Sequence, residues 1–372
     1  MSFVLFVVPS CARPSEPIQI SNSTAGAFEA ALDVRDGGFV AAWYDTRDGN
    51  AEIYMRLLDE QGDPAGPERR LTNGPEQSYE ASLKTVEGGV AVAWYDKSAD
   101  GTLVAKVGVW DFSGRNRWVR TLATRARNPV LARSGPDLFC AWIAMEPDGR
   151  EAVWGAWLTK DGRAPRNLLI GPAGRTTWNL NAIAYDPRTA VVVYDANVGT
   201  KASEIFLADV TPSGTRLQQL TADDGVPSKY PDIAGTRQQA LTWFDKRDGN
   251  EEVYLVVGSP SAIRDKAAPV RVTNTPGESI GVYLTWGRSS GGDRVGLAWS
   301  DNSAGQHEVY FRPYSGEGRP LADARRLTDN PSASLIPAIV PAGDGFALAW
   351  NEYVAATGAT AATSQIAFAL VR

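Results

Sequence analysis

Two octapeptides carry the densest polar chemistry in the chain: WYDTRDGN at residues 43–50 and WFDKRDGN at 243–250. Asp45, Asp48, Asn50 and Glu52 in the first copy, and Asp245, Asp248, Asn250 and Glu252 in the second, are oxygen donors of the kind calcium takes. Their spacing is not that of an EF-hand loop. Asp-Gly is also a hairpin signal, because glycine adopts the positive φ that tight turns require. The motif therefore has two readings: a scaffold turn whose aspartates accept hydrogen bonds from turn amides, or a calcium loop. Calcium is the one cofactor these residues suggest.

The remaining chemistry is bounded by what the chain lacks. His307 is its single histidine, so a His-rich zinc site cannot be built and a Ser-His-Asp triad could form only around that residue. The options left are carboxylate acid/base pairs, a tyrosine- or lysine-centred site, or the oxygen-ligand calcium site. A net charge of −6 argues against nucleic acid, whose phosphates need a basic surface. Cys140 lies in DLFCAWI, the pattern of a buried strand, and reads as an inert core thiol. No Gly-rich phosphate loop or coiled-coil heptad appears.

These residues belong to a repeat. VAAWYD ends at Asp45, VAVAWYD at Asp96, LFCAWIA at Ala144, AVVVYD at Asp195, ALTWFD at Asp245, VGLAWSD at Asp301 and FALAWNE at Glu352. Trp holds one position in six copies, at 43, 94, 142, 243, 299 and 350, with Val193 in the fourth. A polar turn follows, then an aromatic strand such as EIYMRLL or EVYFRPY, then a short strand such as RRLT, QQLT or VRVT, then a link to the next short apolar strand. Four short strands per unit and seven units predict an all-β fold: a seven-bladed β-propeller of antiparallel blades. The Trp is expected to wedge between blades. The last unit has only three strands, and PIQIS (17–21) matches the missing fourth, so the N-terminal strand is expected to close the last blade and remove an open edge. Residues 17–372 are one domain on this reading, and the protein a monomer.

In a propeller, the loops joining strands two and three lie on the face where small ligands usually sit. The first-strand rim on that face carries Phe28 with Glu29, Tyr79 with Glu80, Arg127 with Asn128, Trp178 with Asn181, and Lys229 with Tyr230, against Ile280 and Ile336 on the bland side. Aromatic faces beside carboxylates and amides suit sugars, so Phe28, Tyr79, Asn128, Trp178, Asn181 and Tyr230 are the candidate ligand-binding residues. Each aromatic could equally pack against the neighbouring blade. Glu29 and Glu80 are the candidate acid/base pair, and His307, in a turn on the same face, the candidate base of a lyase. ATGATAATSQ (356–365) reads as a loop insertion on this face.

Residues 1–11 read as a signal peptide. Val8-Pro9-Ser10-Cys11 resembles a bacterial lipobox, with Cys11 as the lipidated residue, although no Lys or Arg precedes the apolar run and Pro9 breaks the pattern. Residues 12–16 would be a linker. The protein is then expected outside the cell, in the envelope or secreted, touching membrane only through the lipid. The repeats resemble those of bacterial secreted β-propellers, the broad group that includes sialidase-like and TolB-like proteins, over residues 17–372. Neither the sialidase Ser-x-Asp-x-Gly-x-Thr-Trp box nor the Trp-Ser-Pro-Asp-Gly signature of TolB-type repeats is present. The expected function is a non-catalytic module binding glycan or protein at the loop-rich face. The alternative is a glycan-processing enzyme, hydrolase or lyase.

Overall fold

The computed structural model describes residues 16–164, 166–174, 177–186, 188–354 and 363–372, excepting the side chains of 134, 173, 178, 186 and 354. Cys11 and the lipobox, most of the 356–365 insertion and the Trp178 side chain lie outside the described residues.

The short apolar runs form strands and the Gly-containing turns reverse them: Gly49 and Gly249 of the two Asp-Gly turns have φ of 93° and 109°. The described residues build seven four-stranded antiparallel sheets, six of them in sequence order from the first strand to the fourth and the last completed by the N-terminal strand. Blade 1, for example, runs through Ala27–Arg35, Gly38–Asp45, Glu52–Leu58 and Arg69–Arg70. The first strands of successive blades touch one another around a complete circle, blade 7 meeting blade 1. They form the inner wall of the ring. This is a seven-bladed β-propeller.

Closure follows the expected route. Ile18–Gln19 pairs antiparallel with Thr363–Val371 as the fourth strand of blade 7, Ile18 opposite Phe368 and Gln19 opposite Ala367. Side chains reinforce this short pairing: Ser21 Oγ donates to Gln365 Oε1 at 2.7 Å, and Gln365 Nε2 donates to the Ser23 carbonyl at 2.7 Å.

The core lies between blades. Each of the seven buried apolar clusters draws on two neighbouring blades; Trp43, for instance, packs with Val340, Ala347 and Phe368 of blade 7. One blade has no interior of its own, which is why the repeat must form a ring. Blade 4 departs from the sequence alignment by one residue. Tyr194, not Val193, takes the wedge position: it packs against blade 3 and stacks on Phe206 at 5.5 Å, as Trp243 stacks on Tyr254 at 6.0 Å, while Val193 faces blade 5.

Candidate functional site

Each first strand is broken by a bulge near its start, between Phe28 and Ala31 in blade 1, Tyr79 and Ser82 in blade 2, and at matching places around the ring. In six blades the first bulge residue is left-handed: Glu29 (φ 54°), Glu80 (53°), Asn128 (48°), Tyr230 (53°), Gly281 (58°) and Ile336 (56°). Only Gly281 adopts this without strain; for a side-chain-bearing residue it costs about 1–2 kcal/mol. The residue after it, such as Ala30, Pro129, Pro231 or Val282, is buried, so the bulge seats one residue in the blade interface and leaves its neighbour half-exposed.

The half-exposed residues converge at the mouth of the channel. Burial raises the phenol pKa values of Tyr230 in blade 5 and Tyr283 in blade 6, and negative charge adds to it, from Asp195, Glu80 and Glu29 at Tyr230 and from Glu29, Asp232 and Glu80 at Tyr283, so charge on blades 1 and 2 is felt across the mouth. Burial pushes the Glu29 carboxyl up to about 7. Burial first, and the Glu29 charge second, push Glu80 up to about 8, against smaller opposing effects from Arg127 and the Tyr95 hydroxyl. Arg127 is turned elsewhere. Its Nη2 donates to Glu151 Oε1 at 2.8 Å and to the Thr177 carbonyl at 2.7 Å, and its Nη1 donates to Asn128 Oδ1 at 2.8 Å.

A continuous arc of rings surrounds the two carboxyls. Phe28 stacks on Tyr44 at 5.2 Å and lies 6.4 Å from Tyr353; Tyr44 meets Tyr79 edge-on at 5.2 Å; Tyr79 lies 5.7 Å from Tyr95. The arc spans blades 7, 1 and 2. One step deeper, Asn181 of blade 4 donates to Asp232 Oδ1 of blade 5, and the Leu284 N–H of blade 6 donates to Asp232 Oδ2 at 2.8 Å. Burial raises the Asp232 carboxyl to about 7, although the backbone N–H groups of Leu284 and Ile233 and the charge of Lys84 pull the other way.

The structure thus brings Phe28, Glu29, Tyr79, Glu80, Asn128 and Tyr230 to one ring mouth. Asn181 sits below it. Because Asn181 pairs with Val193 as Ala31 pairs with Ala42, the residue level with Glu29 in blade 4 is Asn179. His307 is placed apart: its carbonyl accepts the Ser334 N–H at 2.8 Å, and among the described residues no contact joins it to Glu29 or Glu80. Tyr44, Tyr95, Tyr353 and Tyr283 were not singled out from sequence. The signal for Tyr44 and Tyr95 was their place immediately after the wedge Trp, opposite Phe28 and Tyr79 on the first strands.

The Arg-Asp-Gly-Asn turns are internally satisfied. Asp45 accepts from Trp43 Nε1 at 3.1 Å, Ser23 Oγ at 2.7 Å and Arg47 Nη2 at 2.5 Å. Asp48 accepts from the Tyr54 hydroxyl, Glu52 from Thr72 and from Arg70 at 2.8 Å, and Asn50 donates to the Glu76 carbonyl at 2.8 Å. Asp245, Asp248, Asn250 and Glu252 repeat these bonds with Arg247, Tyr254, Gly277 and Arg271. These carboxylates face arginines and hydroxyls, and no group of three or more His, Cys, Asp or Glu that could hold a metal occurs among the described residues. The calcium alternative finds no support in this geometry.

No protein-family model matches the sequence, and no curated protein matches it. Similarity is found among solved structures. A structure described as polysaccharide lyase Uly1 superposes with a TM-score of 0.58 at 9% identity, covering 97% of this chain and 100% of that one. One from a study of two prolyl endopeptidases superposes with a TM-score of 0.52 at 14% identity, covering 92% of this chain and 50% of that one. This chain thus spans about half the length of that peptidase. At such identities, what the three chains share is the propeller fold.

Proposed function

We propose that this propeller is a non-catalytic glycan-binding module, carried outside the cell and anchored through Cys11. The observation that supports this reading most is the arc Tyr353–Phe28–Tyr44–Tyr79–Tyr95 around Glu29 and Glu80. Ring faces suit the C–H faces of sugars. Carboxyls raised to about 7 and 8 keep a proton near neutral pH, so they both donate to and accept from ligand hydroxyls. Five left-handed side-chain residues at one level add weight, because strain held at a ring mouth is a mark of functional sites.

A second reading is a glycan-processing enzyme. The same raised carboxyls favour it, since a glycosidase needs a carboxylic acid that is still protonated at working pH. His307 does not join this reading.

The test is a glycan array with the full chain, with and without calcium, followed by mass spectrometry of any bound glycan. Retention of an intact glycan supports the binding module. A cleaved glycan replaces it with the enzyme. Loss of binding on chelation would return the Arg-Asp-Gly-Asn turns to consideration. An array with no signal overturns the glycan reading in favour of a protein partner. Lipid labelling of the chain and of a Cys11→Ser variant tests the anchor: label on both, or on neither, removes it.

A further inference from the structure

We infer that the ligand of this mouth is an amino sugar, its ammonium group between Glu29 and Glu80 and one of its hydroxyls against Ser300. The inference rests on the glycan-binding reading above. The two glutamates are half-buried on adjacent blades, and among the described residues no salt bridge reaches either. The nearby cation, Arg127, is held by Glu151. Two carboxyls so placed lack a positive partner and hold their protons near neutral pH; a ligand ammonium lets them ionise, which a neutral ligand does not.

The rings set the kind of cation. Phe28, Tyr44, Tyr79, Tyr95 and Tyr353 are partly open, and aromatic faces attract organic cations while offering a metal ion no lone pairs. The cation–ring contacts of the described residues fall on other rings, those of Tyr54, Trp243, Tyr254, Tyr314 and Phe311. An ammonium group beside C–H faces fits this arc.

The third observation is independent and lies two blades away at the same height. Ser300 pairs with Ile280 in blade 6 as Tyr44 pairs with Phe28 in blade 1. Its side chain is 0% exposed and its Oγ has no hydrogen-bond partner. Gly281 occupies the bulge position there. The nearest heavy atom to the point where a side chain would begin is Ser300 Oγ, 3.9 Å away. Apart from the glycine's own chain neighbours no other heavy atom lies within 4 Å of that point, so a side chain is missing beside a buried, unsatisfied hydroxyl. An orphaned buried hydroxyl is uncommon and calls for a partner. An amino sugar brings several hydroxyls to supply one.

The test is calorimetry on the full chain at pH 6 with three probes: glucosamine trimer, its fully N-acetylated counterpart and trilysine. Glucosamine trimer is expected to bind about tenfold or more tighter than the acetylated trimer, the worth of one charge-assisted contact. Glu29→Gln with Glu80→Gln should abolish that preference, and Ser300→Ala should weaken both sugars. Proton release on binding, read from the buffer dependence of the enthalpy, needs no variant: the ammonium form should release protons from the glutamates and the acetylated form should not. Equal binding of the two sugars overturns the inference and leaves the glycan reading intact. Binding of neither sugar overturns both. Trilysine binding tighter than either sugar overturns the amino sugar, and full affinity in Ser300→Ala overturns the placement of the hydroxyl.

Discussion

Asn351 Oδ1, in blade 7, accepts the backbone N–H of Glu29, in blade 1, at 2.9 Å. Asp195 of blade 4 does the same for Tyr230 of blade 5, at 3.0 Å. In both places the second strand of one blade holds the bulge of the next, so the blade interface positions the mouth residues. Asn351 is fully buried, and its Nδ2 donates to Ser364 Oγ at 3.2 Å. Asn351→Ala leaves the Glu29 N–H without this acceptor. It is expected to lower stability by about 1–2 kcal/mol in denaturant unfolding, and to weaken glycan binding by releasing Glu29.

The two mouth glutamates make stability depend on pH in a direction opposite to the usual carboxylate. Their folded pKa values of about 7 and 8 lie above the ordinary glutamate value of 4.5. Below the unfolded pKa both states are protonated and the full stability is present. As pH rises the unfolded chain ionises first, and stability is lost through the folded values. The groups facing the pair are Tyr44, Tyr95, Tyr230, Tyr283 and Tyr353, whose phenol pKa values burial raises, together with Tyr79 and with Arg127, which is held by Glu151. Melting temperature should fall between about pH 5 and pH 8, and the Glu29→Gln, Glu80→Gln double variant should fall less. A double variant with the same slope as the parent would disprove the assignment.

Blade 4 lacks a cation that three other blades have. Glu52, Glu252 and Glu308 are each 0% exposed and bonded to Arg70, Arg271 and Arg326 at 2.8, 2.9 and 2.8 Å. Glu204 is equally buried, but Gln219 stands opposite Phe206 where Arg70 stands opposite Tyr54. Glu204 Oε2 accepts from Thr221 at 2.6 Å and Oε1 has no partner. Burial pushes this carboxyl up to about 7. Gln219→Arg should lower that pKa and stabilise the protein by about 1–3 kcal/mol at pH 8. The gain should shrink toward pH 5, where Glu204 is protonated without it. Chemical denaturation at the two pH values measures the difference.

Trp142 is the wedge of blade 3, fully buried, and its Nε1 has no acceptor. Trp94 and Trp243 donate to the aspartate two residues on, at 2.7 and 2.9 Å, and Trp350 to Glu352 at 2.9 Å. Blade 3 has Ala144 at that place. Ala144→Asp should satisfy the indole and raise stability by about 1 kcal/mol, seen as a higher melting temperature near neutral pH. A lower one would mean that the new charge is not solvated there.

The architecture was readable because the Trp-x-Asp pair does a job every blade needs. Trp fills the blade interface, and the acid ties its indole to the turn. That constraint recurs with the blade and survives divergence elsewhere. Blade 4 was misread by one residue because it fills the interface with Tyr194, and Val193 beside it also suits a buried strand. The pairing of Glu29 and Glu80 on adjacent blades was visible from the same repeat. The left-handed bulge was not, because non-glycine residues stand at it in Glu29, Glu80, Asn128, Tyr230 and Ile336 and nothing in their types announces positive φ. Tyr44, Tyr95 and Ser300 escaped notice because period-two alternation assigns a residue to a face without saying that a bulge next door opens that face to the channel.

The strand Ile18–Gln19 contributes two residue pairs to its sheet, where the neighbouring pair of blade 7 has nine, from Phe346 with Val371 to Val354 with Thr363. Tension applied at the amino end therefore falls first on this short pairing, on two rungs, the Ile20 N–H bond to the Ile366 carbonyl and the side chains of Ser21 and Gln365. The pairing acts as a mechanical fuse. Under load this strand is the first to be pulled from its sheet, while the packed face between blades 7 and 1 still holds the circle.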